Sequence, residues 1–167
     1  MQTHKGFTVQ DLATLKHLSE TMGKMDALLD NVKEYVKLVF RVFDDVRATK
    51  IRYYWYGTEH LISVNLTMAL GIAWHTENPY LYLRAGVPKE YPDAEKLFKI
   101  LAEVLTEKGW AEKDTTEEFQ LIKQKPISLF MLEEEQQNIE QFGAMQKFFK
   151  IAIDELEEVR DDNFDLF

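Results

Sequence analysis

Residues 51–74 read IRYYWYGTEHLISVNLTMALGIAW, and the two-residue period of this stretch decides the fold class. Ile51, Tyr53 and Trp55 alternate with Arg52, Tyr54 and Tyr56, and aromatic side chains in such alternation suit a pleated, half-buried strand. Ile62, Val64, Leu66, Met68, Leu70, Ile72 and Trp74 then alternate with Ser63, Asn65, Thr67, Ala69, Gly71 and Ala73. One long bent strand, or two short ones meeting near Thr67, would produce that pattern. Thr76-Glu77-Asn78-Pro79 is a turn, and residues 80–87 return as the next strand of an antiparallel hairpin.

Upstream the period is helical. Leu15, Leu18, Met22, Met25, Leu29, Val32, Val36, Val39, Phe43 and Val46 fall on one 3-4-3-4 ladder, a single seam of a helix predicted over residues 8–48. Thr8 and Asp11 give it a start like a capping box. Such a helix is roughly 60 Å long at 1.5 Å per residue. A compact chain of 167 residues is only about 40 Å across. Either the helix breaks near Gly23, or its first half projects and pairs with a second copy through Leu15, Leu18, Met22, Met25 and Leu29. The stripe is narrow up to Val32 and widens from Tyr35 through Leu38, Phe40 and Val42, so the second half is expected in the core.

Downstream, Pro92 suits the first residue of a helix whose buried face is Leu97, Phe98, Leu101, Val104 and Leu105, with Gly109 as its C-terminal cap. Phe119 to Lys123 reads as a strand, and a last helix is predicted over 132–159, followed by an acidic tail over 160–167. The order α-β-β-β-α-β-α predicts one α+β domain over 1–167: an antiparallel sheet of about four strands, helices mainly on one face, long helices at both ends. The sheet and its helix occupy 50–132.

The net charge of −9 is uneven. Residues 1–60 carry nine basic and eight acidic residues, whereas 61–167 carry eleven and twenty-one. That field repels phosphate backbones, so nucleic acid is not the expected partner. The absence of cysteine excludes disulfides, thiolate catalysis and cysteine-ligated metals. No apolar run approaches the ~20 residues of a membrane span, and the first residues lack a signal-peptide pattern. A cytoplasmic protein without cofactor or metal is expected.

Among possible sites, the sheet's second face stands out. If Ile51, Tyr53, Trp55, Leu81, Leu83 and Ala85 meet the helices, then Arg52, Tyr54, Tyr56, Tyr80, Tyr82 and Arg84 share the other face. Tyr and Arg dominate binding hot spots, so these six form a candidate partner surface. The same face could stack unpaired bases through Arg52, Tyr54, Tyr82 and Arg84. The alternative is that tyrosine simply fits a half-exposed strand. Two histidines lie near carboxylates, His60 after Glu59 and His75 before Glu77, and with Trp55 and Trp74 they could line an enzyme pocket. Their bland reading is loop polarity, and no catalytic residue is assigned. No strand offers the carboxylates of a metal-dependent nuclease, and phosphate loops and nucleophile elbows are missing. The terminal Asp161-Asp162-Asn163-Phe164-Asp165-Leu166-Phe167 resembles the acidic tip of bacterial single-strand-binding proteins, without its proline. Phe164 and Phe167 are therefore candidates for partner docking or for packing on the parent domain.

Residues 52–57 (RYYWYG), 71–74 (GIAW), 79–84 (PYLYLR) and 130–136 (FMLEEEQ) together resemble an α+β accessory domain found beside PD-(D/E)XK-type nuclease cores in bacterial and phage conflict proteins. The resemblance spans roughly residues 50–158, and the nuclease core is absent. It implies a partner-binding module, an inhibitor or accessory subunit. The function expected is a non-enzymatic protein-binding or regulatory module, self-associating through its first helix.

Overall fold

The alternation over residues 66–73 becomes a central strand, and the rest of the sheet is built outward from it. The computed structural model describes residues 6, 8–40, 46–51, 55–63, 65–74, 76–132 and 138–166. Its elements are α1 (Val9–Phe40), β1 (Val46–Ile51), β2 (Trp55–Ser63), β3 (Leu66–Ala73), β4 (Tyr80–Pro88), α2 (Ala94–Leu105), β5 (Ala111–Asp114), β6 (Glu118–Pro126), α3 (Ile127–Leu132) and α4 (Asn138–Asp162), then a 3-10 turn, Phe164–Leu166. All neighbouring strands are antiparallel, in the order β1-β2-β3-β4-β6-β5.

Register assigns the two faces. Met68 pairs with Ala85, Leu70 with Leu83 and Ile72 with Leu81. Across β2, Thr58 and His60 face Leu70 and Met68. Across β6, Leu121 and Phe119 face Ala85 and Val87. This face carries the core, and α2 packs on β4 and β6, α4 on β4, and α1 on α4 and β2. Leu97, Leu101 and Leu105 of α2 and Phe149, Ala152, Leu156 and Val159 of α4 are fully or nearly fully buried against it. The expected α+β class and one-sided helices are observed.

Several expected elements are corrected. Among the described residues the sheet has six strands rather than about four, and α1, described as far as Phe40, does not reach residue 48 because β1 occupies Val46–Ile51. Val46 begins β1, where main-chain pairing with His60 outweighs its place on the helical ladder. Phe43, also on that ladder, lies outside the described residues. Residues 51–56 do not form one strand: Ile51 ends β1 and Trp55 opens β2. β5 was not expected because all four of its residues are exposed, leaving no apolar period to read. Gly23 does not break α1, which runs through it with open space around that position. α2 starts at Ala94, two residues beyond Pro92. At its end Gly109 adopts φ +90°, the left-handed conformation expected of a cap, and the Trp110 amide bonds back to the Leu105 carbonyl. Of the expected helix over 132–159, α4 covers Asn138 onward and continues to Asp162, α3 ends at Leu132, and residues 133–137 lie outside the described residues.

Candidate interaction surface

The first candidate is the seam of α1, which changes environment along its length. Met25, Leu28, Leu29, Val32, Val36 and Phe40 are buried by the chain's own body, and Met22 packs at its margin. Toward the N-terminus, Leu18 is 46% exposed, Leu15 49% and Leu12 57%. The five proposed self-association residues therefore divide. Leu15 and Leu18 are free, Met22 is half-buried, and Met25 and Leu29 are closed off intramolecularly. At the free end, Asp11 accepts bonds from the Thr8 amide and hydroxyl, both 2.7 Å, and the Thr8 hydroxyl accepts from the Asp11 amide. These bonds hold the Asp11 carboxyl below its usual range and cap the projecting turn.

The buried half of α1 is fastened to α4. Tyr35 donates its hydroxyl to Asp154 at 2.5 Å, which pushes its pKa up to about 12 and keeps it protonated. Lys150 lies over the Tyr35 ring at 5.1 Å and Arg160 over Phe40 at 4.9 Å. α4 is tied in turn to the sheet. Lys123 of β6 donates to both Glu155 oxygens, and the Trp110 indole N–H donates to Glu155 at 2.8 Å.

The second candidate is the sheet face away from the helices. Tyr80, Tyr82 and Arg84 lie on it together, half-buried. Beside them Gly57 pairs with Gly71, and the Tyr82 hydroxyl reaches across: a Cβ on Gly57 would sit 2.9 Å from it. Glu118 gathers Gln120, Thr67 and Arg84 around its carboxylate, with the Arg84 Nη2 at 3.9 Å. Arg84 Nε is buried without an acceptor. Tyr56 does not belong to this face. It pairs with Ile72, so it points to the helices, where it is buried, stacks on Trp74 at 6.0 Å and donates its hydroxyl to Asp26 of α1. The expected parity failed there because the strand was read as continuous from Ile51. Arg52, Tyr54 and Phe167 lie outside the described residues. Phe164 opens the terminal 3-10 turn, whose Leu166 packs on the core.

The described members of the expected histidine pocket do not come together. His60 and Glu59 are strand neighbours and point to opposite faces. His60 is 1% exposed, with Nε2 3.0 Å from the Thr58 hydroxyl and no partner for Nδ1. It lies five residues along β2 from Trp55, roughly 16 Å at strand spacing, whereas Trp74 and the exposed Glu77 sit at the Trp55 end. His75 lies outside the described residues. Among the described residues no cluster of three or more His, Asp or Glu could hold a metal ion, and no helix is long and apolar enough to cross a membrane. Comparison with protein-family models, curated proteins and solved structures finds no match to this chain.

Proposed function

We propose that this protein is a non-enzymatic protein-binding module that assembles with a second copy through the free end of α1. The observation that carries this reading is that Leu15 and Leu18 are exposed on a regular helix, collinear with a seam the body buries from Met25 onward, with Leu12 exposed on their flank. Three exposed leucines at one end of a capped helix are a costly surface to leave in water, and a second helix with the same edge covers them. Charge favours self-pairing at this end. Residues 8–24 hold two lysines and two acids, net zero, so the full −9 belongs to the rest of the chain. The positions flanking the seam, Thr14, Ser19 and Thr21, are neutral, so two such edges meet without like-charge opposition.

In this reading Tyr80, Tyr82 and Arg84, half-buried on the sheet face away from the helices, contact the target. The resemblance over residues 50–158 supplies a setting, phage–host conflict, with the module as inhibitor or accessory subunit. Sedimentation equilibrium over a wide dilution range tests the assembly. The unsubstituted chain should show a reversible dimer, and Leu15→Glu/Leu18→Glu a folded monomer by circular dichroism. A monomer at every concentration of the unsubstituted chain overturns the proposal.

A further inference from the structure

We infer that His60 is an acid-sensitive latch for α1: a proton on its ring releases this helix from β2 while α2, α4 and the strands beneath them stay folded. The latch is a polar row in an otherwise apolar interface. Tyr56, Thr58 and His60 alternate along β2 on the side that meets α1, and all three are buried. Tyr56 has its acceptor on α1, the Asp26 carboxylate. Thr58 and His60 share a contact with each other, hydroxyl to Nε2 at 3.0 Å, and His60 Nδ1 has no partner. An imidazole so enclosed is tolerated as a neutral ring and is costly as a cation.

The groups around the ring give an imidazolium no relief. Burial is the larger obstacle to the proton, and Lys33 and Lys37 of α1 repel it further, which lowers the pKa to about 4. On the same stripe of α1, Asp26 is engaged by Tyr56 and Asp30 is exposed, while Glu34 pairs with Lys37 at 3.2 Å. Val46 of β1 and Met68 of β3 stand opposite His60 in the ladder and carry no charge. Glu59 points to the other face, and Asp154 of α4 is taken up by Tyr35. Lifting α1 removes both lysines and admits water in one movement, so the open state takes the proton near 6.5. Release is therefore favoured as pH falls below 6.5 and levels off near 4. α1 is the element placed to leave. Its main contacts are α4 and β2, whereas α2 and α4 cover β4 and β6. Leu97, Leu101, Leu121 and Phe149 thus form a core between elements other than α1, as a partial opening requires.

The chain has no cysteine, so single thiols placed in the core report which part opens. Val32 lies in the α1 seam and Val87 on β4, each 1% exposed or less. Val32→Cys and Val87→Cys proteins are reacted with dithiodipyridine, and rates are referred to free cysteine at the same pH. Val32→Cys should react faster than Val87→Cys and with a shallower urea dependence, because less surface opens. Its rate should rise about twentyfold from pH 7 to pH 5. In a His60→Leu background that rise should vanish; if this variant does not fold, His60→Gln takes its place, polar but without a titrating ring. Equal rates and equal urea dependence at the two sites would assign the proton uptake to global unfolding and overturn the latch. A rise that persists without His60, or fast reaction at Val32→Cys that ignores pH, overturns it as well.

Discussion

His60 is where acid should first weaken this protein. Burial is the main reason its ring resists protonation, and Lys33 and Lys37 of α1 add to it, lowering the value from 6.5 to about 4. The charges acting on the ring are both positive; the β3 residue opposite is Met68, and Thr58 supplies a hydroxyl that cannot neutralise an imidazolium. The unfolded chain takes up this proton near pH 6.5 and the folded one only near 4, so stability falls as pH drops through that window. About 2 kcal/mol should be lost between pH 7 and 5 from this group. Urea unfolding at both pH values should show the loss, and His60→Leu should remove that component; an unchanged slope in the variant would place the titration elsewhere. Gly71 makes a different demand, because a Cβ there would overlap the main chain of Tyr56 and Gly57. Gly71→Ala should cost about 1–3 kcal/mol by thermal or urea unfolding. Neither role could be read from residue type. A dipeptide Glu59-His60 suggests a pair, but strand alternation sends the two side chains apart.

α1 should respond to the same substitution in two ways along its length. Leu29→Ala removes a side chain buried by the body and should cost about 2–5 kcal/mol. Leu18→Ala removes one with no intramolecular cover and should leave monomer stability within about 0.5 kcal/mol. Unfolding of both under monomeric conditions makes the comparison; equal losses would mean that the free end is covered after all. The ladder made the helix legible but carried no mark where cover stops, because the cover comes from α4 and β2, elements outside the helix. Trp110 is the residue the sequence reading missed. It follows the cap glycine Gly109, where an apolar residue commonly folds back on its helix, and this was the available signal. Its indole and Lys123 share Glu155, which is also half-sheltered, so Glu155→Ala leaves Lys123 partly buried and unpaired. A loss of about 2 kcal/mol is expected by urea unfolding, more than an exposed ion pair provides.

The assembled molecule should behave oppositely to one held by ion pairs. The contact proposed for it is apolar and uncharged along the seam, while each body carries the full acidic excess. Added salt should therefore leave the dimer intact or tighten it by screening the bodies, and sedimentation at low and high ionic strength reads the direction. Dissociation by salt would point to a different interface. The periodicities alone determined that this chain combines a seamed helix with an antiparallel sheet, because alternation by two and by 3.6 is written locally in residues such as Leu15 to Val36 and Leu66 to Ala73. They also determined that apolar edge would be in excess. Only the folded structure decided that Val46 joins the sheet, that Tyr56 turns inward, and that the seam closes at Met25. Each of these depends on pairing register or on a helix more than a hundred residues away, and contacts at that separation leave no period in the chain.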